Sequence, residues 1–178
     1  MNTWIAFIRG INVGGKNRLP MADLRAHLAD AGFEGVQTYI QSGNVVCRHP
    51  AKRPSMLVQR MGDTIETHFG FRPAIHVLTL EALQAAADAS PFTGENLDKA
   101  LHLFFLDQEP RQPDLEGLKA IKGPTEDFSL SGKVFYLHAP DGIGRSKLAQ
   151  RAERLLGVPA TARNWRTVQA VLSLANAL

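Results

Sequence analysis

The chain has 178 residues, and its 44% hydrophobic and 21% charged content is typical of a globular protein with one ordinary domain or two small ones. A formal net charge of +3 permits an anionic ligand but is too small to indicate non-specific DNA binding. The single cysteine, Cys47, excludes a disulfide framework and a cysteine-rich zinc site. No apolar run approaches the roughly 18 residues of a membrane span, and the apolar run before Arg9 is too short for a secretory signal. We therefore expect a cytoplasmic protein with no membrane partner.

The first half of the chain predicts the element order β-α-β-β-α-β, followed by one more helix. Apolar runs rich in β-branched residues indicate the strands, and apolar residues at helical spacing indicate the helices. The predicted strands are residues 3–8, 36–41, 45–48 and 73–78, and the predicted helices start near Pro20, Pro54 and Thr79. Gly32 and Gly70 are placed to end the first two helices in the left-handed conformation that favours glycine. The segment Ser42–Asn44 predicts the turn of a hairpin.

The same order recurs in the second half of the chain. The elements predicted there are a strand at residues 100–106, a helix that stops at Gly123, a hairpin of residues 126–130 and 134–138, and helices from Arg145 and Trp165. The turn at Ser42 resembles the turn at Ser131, at a shift of 89 residues. This recurrence predicts an α+β protein of two tandem ferredoxin-like (βαββαβ) units, each with an antiparallel or mixed sheet covered by helices. We assign residues 1–90 to the first unit with its trailing helix and residues 99–178 to the second with a C-terminal helix. A chance match of common turns is the alternative.

A basic, glycine-spaced loop of residues 10–18 follows the first strand. No acidic residue occurs between Met1 and Pro20, whereas three basic residues do, namely Arg9, Lys16 and Arg18. The loop nearly fits the nucleotide-binding pattern G-x-x-x-x-G-K-[ST], but Asn17 lacks the hydroxyl that binds Mg²⁺ and Pro20 delays the helix start. Three interpretations remain open: a nucleotide-hydrolysing loop, a backbone nest that binds an anion, and a plain turn with solvated cations.

A second basic segment, Asp141–Leu148, places two glycines before a predicted helix. Arg145 and Lys147 lie at the start of that helix. Cations are poorly placed beside the positive end of a helix dipole unless an anion is bound there as well. The segment therefore predicts an anion site, and an ordinary glycine turn is the alternative.

A third basic segment opens the last helix. Asn164 is placed to cap that helix through the amide of Arg166 or Thr167. Trp165 falls on the apolar stripe of the helix and is expected in the core. The guanidinium groups of Arg163 and Arg166 suit a phosphate or a carboxylate.

The candidate ligand-binding residues are the basic, amide and glycine residues of these three segments. They are Arg9, Asn12, Gly14, Gly15, Lys16, Asn17, Gly144, Arg145, Lys147, Arg163, Asn164 and Arg166. We expect the first and third strands of each unit to run parallel. The loop of residues 10–18 (the Gly10 loop) and the loop of residues 141–146 (the Gly142 loop) would then lie at equivalent edges of different units. Arg163 would lie at the opposite edge of the second unit. The six histidines lack metal-type spacing, so no metal, cofactor or catalytic residue is assigned.

Three stretches of the chain resemble the bacterial domain-of-unknown-function 1697 family. They are Phe7–Asn17, Thr38–Val45 and Ala162–Val168. The resemblance covers essentially the whole chain and implies a small cytoplasmic α+β protein, without implying any activity. Cys47 departs from it, because a large apolar residue such as phenylalanine is expected there. That departure argues against a functional thiol at position 47, where a small buried hydrophobe is the simpler interpretation.

Three functions remain open at this point. The first is a module that binds a phosphate-bearing small molecule or nucleotide through the basic glycine loops, with single-stranded nucleic acid as a less supported ligand. The second is an enzyme acting on a phosphorylated small molecule, in which Arg9, Lys16 and Arg163 stabilise charge and a histidine transfers protons. The third is a structural or protein-interaction domain without a ligand. The sequence offers no matched nucleophile and base, which makes the enzyme the weaker hypothesis.

Overall fold

The structure is a computed structural model that describes all residues from Met1 to Leu178. Its strands are β1 (Asn2–Ile8), β2 (Glu34–Tyr39), β3 (Asn44–His49), β4 (Ile75–Thr79), β5 (Leu101–Leu106), β6 (Asp127–Ser131), β7 (Val134–His138) and β8 (Ala160–Asn164). Its helices are α1 (Met21–Asp30), α2 (Pro54–Phe69), α3 (Leu80–Asp88), α4 (Leu97–Ala100), α5 (Leu115–Ile121), α6 (Lys147–Leu156) and α7 (Trp165–Asn176). The predicted α+β class is confirmed. Helix α4 was not predicted, because its four residues are too few to show a helical period.

The strands form two four-stranded antiparallel sheets, with the orders β2-β3-β1-β4 and β6-β7-β5-β8. The first and third strands of each sheet are antiparallel neighbours: Trp4 pairs with Cys47, and Leu103 pairs with Tyr136. The expectation that these strands run parallel is therefore wrong. A crossover through a helix returns the chain parallel to the strand it left, and the hairpin that follows reverses it.

The chain divides into two compact units. Unit 1 consists of residues 1–85 and 169–178, and unit 2 consists of residues 86–168. The prediction from sequence places the whole last helix in the second unit. In this division, α7 begins in unit 2 and ends in unit 1.

One face of the unit 1 sheet packs against α1 and α2. Side chains alternate along a strand, so Trp4, Ala6 and Ile8 share a face. They are buried with Cys47 of β3 and with apolar residues of both helices. Cys47 has no exposed surface, and burial raises the pKa of its thiol to about 12. It is therefore a buried hydrophobe without thiolate character, as the sequence predicted.

The unit 2 sheet is covered in the same way by α5 and α6. The buried cluster on that face contains residues of two central strands and both helices: Phe104, Leu106, Phe135, Leu137, Leu118, Leu148, Ala152 and Leu156. The Ser146 side chain caps α6 by accepting a hydrogen bond from the amide of Ala149 at 3.1 Å. Helix α6 follows β7 in the chain, with the loop of residues 139–146 between them.

In each sheet, a backbone hydrogen bond joins the last residue of the first strand to the hairpin turn. The amide of Ile8 donates to the carbonyl of Gly43 at 2.8 Å, and the amide of Leu106 donates to the carbonyl of Lys133 at 2.9 Å. These bonds align position 43 with position 133, a shift of 90 residues. The predicted alignment of Ser42 with Ser131 is thus displaced by one residue. The two turns also differ in length, with four residues (40–43) in unit 1 and two (132–133) in unit 2, so matching turn residues by type does not match their positions in the hairpins.

Candidate functional site

The Gly10 loop, residues 10–18 of unit 1, contains a miniature β-hairpin. The amide of Asn12 donates to the carbonyl of Asn17, and the amide of Lys16 donates to the carbonyl of Val13, both at 3.2 Å. Gly14 and Gly15 have φ angles of 60° and 74°, the sign that a type I′ hairpin turn requires at both central positions. The turn therefore accounts for both glycines. The Lys16 amide, which a backbone nest would present to an anion, is bonded inside the loop.

Two asparagine side chains hold this hairpin in place. The Nδ2 of Asn12 donates to the carbonyls of Leu19 at 2.9 Å and Gln41 at 2.8 Å, and its Oδ1 accepts from the Leu19 amide at 2.7 Å. The Nδ2 of Asn17 donates to the carbonyl of Gly10 at 3.0 Å. Both residues have positive φ angles, 54° and 50°, which asparagine tolerates better than most residues. Helix α1 begins only at Met21, so neither Asn17 nor the helix start has the geometry of a nucleotide-hydrolysing loop.

The Asn12–Gln41 hydrogen bond joins the Gly10 loop to the β2–β3 turn, residues 40–43. Gly43 lies against the end of β1, where an added methyl group would be 2.8 Å from the Cβ of Ile8 and 2.9 Å from its carbonyl oxygen. Buried Asn44 braces the turn through hydrogen bonds from its Nδ2 to the Tyr39 carbonyl and the Ser42 hydroxyl, both at 3.0 Å. The first two stretches that suggested a family resemblance therefore form one structural element.

The second basic segment lines a cavity of about 440 Å³ in unit 2. One wall is the end of α5 and the loop that follows it, residues 120–126, and the other is the loop between β7 and α6. Lys122, Arg145 and Lys147 border the cavity and are exposed. The first turn of a helix leaves amides without partners inside the helix, and α6 begins at this cavity with the amides of Lys147 and Leu148.

Two carboxylates also border the cavity, and both are bonded to its own walls. The Oδ2 of Asp141 accepts a hydrogen bond from the Thr125 hydroxyl at 2.5 Å, which connects the two walls. The Oε2 of Glu126 accepts from the amide of Gly123 at 2.8 Å. Their donors are neutral, so both acids keep their negative charge. Against them stand Lys122, Arg145 and Lys147, so the lining carries an excess of one positive charge.

Arg163 lies at the same end of the unit 2 sheet as the Gly142 loop. Strands β7 and β8 both run antiparallel to β5, so both finish at the end where β5 begins. The expectation that Arg163 lies opposite the Gly142 loop is therefore wrong. The Gly10 and Gly142 loops are also not at equivalent edges, because they follow the first strand and the antiparallel third strand of their respective sheets.

The third basic segment combines capping with partial burial. The Oδ1 of Asn164 accepts from the amide of Thr167 at 2.9 Å, which confirms the predicted cap. Arg163 is half-buried and donates to the Ala162 carbonyl at 2.8 Å. Burial lowers its pKa to about 10, so it stays protonated at neutral pH.

Arg166 lies 3.6 Å from the Asp98 carboxylate, so it has an acidic neighbour in space that is distant in sequence. Trp165 is half-buried and therefore more exposed than expected.

A buried histidine lies at the same end of the unit 2 sheet as the cavity. His102 is only 8% exposed, and its Nδ1 has no hydrogen-bond partner. It pairs with Leu137 of β7 and with Asn164 of β8, and it lies on the sheet face that α5 and α6 cover. Burial lowers its pKa below the ordinary value of 6.5, with a smaller opposing effect from the backbone of Ala100. The sequence does not distinguish His102 from the other five histidines, since burial of one nitrogen leaves no local signal.

We expect His102 to make unit 2 less stable in acid. The unfolded chain takes up a proton near pH 6.5, whereas the folded chain does so only at lower pH. Between these two pKa values the unfolded state binds more protons than the folded state. The free energy of unfolding therefore decreases as the pH is lowered, by up to about 1.4 kcal/mol per pH unit for this one group. Urea unfolding at pH 7.5, 6.5 and 5.5 should show a shallower pH dependence for His102→Gln than for the unmodified protein. An unchanged slope in the variant would contradict the assignment, whatever the absolute stability of that variant.

The sequence matches a known family over most of its length. Residues 1–136 match a family described as a protein of unknown function, DUF1697. A solved structure of a conserved bacterial protein from Streptococcus pneumoniae is similar, with a TM-score of 0.69, 23% sequence identity and 98% coverage of both chains. At this identity the similarity concerns the fold alone. No curated protein matches the sequence. None of the helices combines the length and apolar composition that a membrane crossing requires.

Proposed function

The chain belongs to the DUF1697 family, whose description assigns no activity, and we propose from its geometry that it binds a small phosphate- or carboxylate-bearing molecule in the unit 2 cavity. The observation that carries this proposal is the position of Arg145 and Lys147, which border the cavity at the start of α6. A cation beside the positive end of a helix dipole costs about 0.3–1 kcal/mol. A bound anion would offset that cost and would also accept hydrogen bonds from the amides of the first turn.

The size of the cavity supports a ligand larger than a simple ion. Its volume of about 440 Å³ lies within the range of roughly 300–1,000 Å³ in which small-molecule sites occur. Thr125 and the carboxylates of Asp141 and Glu126 add groups that can recognise hydroxyls on the carrier of the anion. These features favour a sugar phosphate, a nucleotide or a similar phosphate monoester over inorganic phosphate.

We also propose that the two units are tandem copies of one ferredoxin-like βαββαβ unit. The same strand order in both sheets supports this proposal. So do the equivalent bonds from Ile8 and Leu106 and the glycines that end α2 and α6, Gly70 and Gly157, at φ angles of 78° and 73°. An experimental structure in which the two units superpose strand for strand, with position 43 on position 133, would support the duplication. A superposition that aligns the strands in another order would reject it.

Binding measurements on paired variants test the proposed ligand site. We expect AMP or glucose 6-phosphate to raise the melting temperature and to bind in calorimetry. We also expect Arg145→Ala with Lys147→Ala to weaken binding by at least about tenfold, because each hydrogen bond to a charged group contributes about 1.5–3 kcal/mol. The matched control is Arg151→Ala with Arg154→Ala, which removes two exposed cations from the same helix outside the cavity lining.

Two results would reject this function. One is the absence of binding by every phosphate ester tested at millimolar concentration. The other is an equal loss of affinity in the two double variants, since that would show only a response to the net charge of the chain.

A further inference from the structure

We propose that the tip of unit 1, formed by the Gly10 loop and the β2–β3 turn, is a docking surface for an acidic segment of another protein that carries aliphatic side chains. The tip is defined by residues 10–18 and 40–43. This inference is independent of the unit 2 cavity.

Two large aliphatic side chains are exposed on the tip. Val13 is 71% exposed and Ile40 is 54% exposed. They flank the Asn12–Gln41 pair, whose hydrogen bond of 2.8 Å ties the two loops together. The two apolar residues therefore lie on loops that a hydrogen bond joins, so a partner would not have to order the two loops relative to each other on binding.

The backbone at Ile40 is strained in a way that folding does not explain. Its φ angle is 49°, in the left-handed region where a β-branched residue is an outlier. The conformation is unfavourable for a β-branched residue, and glycine or asparagine would meet the turn at lower cost. Because Ile40 is exposed, its side chain does not recover that cost by burial in the core. Strain retained at an exposed position is typical of binding sites.

The charge of the tip defines the chemistry of the partner. Lys16 and Arg18 are exposed residues of the tip, Arg9 is exposed directly before it, and no acid occurs before Asp23 in the chain. An apolar centre with a charged rim is the usual anatomy of a protein interface. Single-stranded nucleic acid is less suited, because its bases stack mainly on aromatic side chains and residues 10–18 and 40–43 include none. A second copy of this basic tip would be repelled.

Peptide selection on the full chain tests this surface. The probe is a random twelve-residue peptide library displayed on phage and selected against the immobilised protein at about 0.15 M salt. We expect enrichment of peptides that combine two or more acidic residues with leucine, isoleucine or valine. Val13→Ser with Ile40→Asn should weaken the binding of a selected peptide at least tenfold. The control Met56→Ser, which alters an exposed apolar residue of α2 that is 56% exposed, should bind like the unmodified protein.

The melting temperature separates a binding role from a packing role. Ile40→Asn should leave the melting temperature unchanged or raise it, because asparagine accepts the left-handed backbone. A drop of several degrees would show that Ile40 serves the fold, and this would overturn the proposal. So would a selection without acidic-aliphatic enrichment, or peptide binding that is unaffected by the double variant. Binding of an oligothymidylate that the same double variant abolishes would assign the tip to nucleic acid and would also overturn it.

Discussion

Gly43→Ala is expected to lower the free energy of unfolding by about 2–4 kcal/mol, as the combined cost of left-handed backbone strain and overpacking. The φ angle of Gly43 is 74°, and the added methyl group would meet the Cβ of Ile8 and the Cδ1 of Ile11 at 2.8 Å. It would also lie 2.9 Å from the Ile8 carbonyl oxygen, which belongs to the backbone and cannot swing away. The measurement is guanidinium unfolding followed by circular dichroism.

Gly14→Ala is the matched control for this prediction. Gly14 has a similar φ angle of 60°, but nothing lies within 4 Å of a methyl group placed there. It should therefore cost only the backbone term of about 1–2 kcal/mol. If the two variants unfold at the same denaturant concentration, the close contact between the β2–β3 turn and β1 does not add to the cost of the Gly43 substitution, and the prediction is wrong.

Asn12→Ala should lower the free energy of unfolding by about 2–4 kcal/mol, because it removes three hydrogen bonds that contribute about 0.5–1.5 kcal/mol each. Those bonds join Asn12 to both backbone groups of Leu19 and to the carbonyl of Gln41. Leu19 has no exposed surface, so water can replace its lost partners only if the loop opens. The same denaturant series measures this change.

Two further variants divide the Asn12 effect into its parts. Asn12→Gly removes the hydrogen bonds but accepts the φ angle of 54°, so it should lie above Asn12→Ala in stability by about 1 kcal/mol. Asn17→Ala removes one bond, to the Gly10 carbonyl, and should cost less than Asn12→Ala. A stability of Asn12→Ala within about 0.5 kcal/mol of the unmodified protein, the range of ordinary surface changes, would reject the structural role of this side chain.

The order of the elements was predictable because its signals are local. Helix caps connect residues three positions apart, and the N-cap predicted at Asn164 occurs. The helix predicted to start near Thr79 is capped in the same way, since the Thr79 hydroxyl accepts from the amide of Ala82 at 3.1 Å. The apolar period that placed α1, α2 and α6 likewise repeats within a few residues. The start of α6 was predicted two residues early, since a 3-10 turn at Ile143–Arg145 precedes it.

The candidate site was predictable only in part. The loop around Gly142 was recognised from its glycines and cations, but the cavity beside it also needs Lys122 and Thr125 from a different loop. No pattern in the sequence indicated that pairing. In the Gly10 loop the sequence predicts that the glycines and asparagines bind a ligand. In the structure, hydrogen bonds from Asn12 and Asn17 stabilise the hairpin instead.

The amino-acid sequence by itself determined the α+β composition, the capped helices, the burial of Cys47 and the family to which the chain belongs. Each depends on residue type and on neighbours within a few positions, or on a pattern that the whole chain carries. Only the tertiary structure decided the strand directions, the one-residue offset between the two hairpins and the partners of Asn12. The reason is that these features depend on contacts between distant residues, such as Asn12 and Gln41, which are 29 positions apart. Such contacts form only after whole elements have packed, and no local period encodes them.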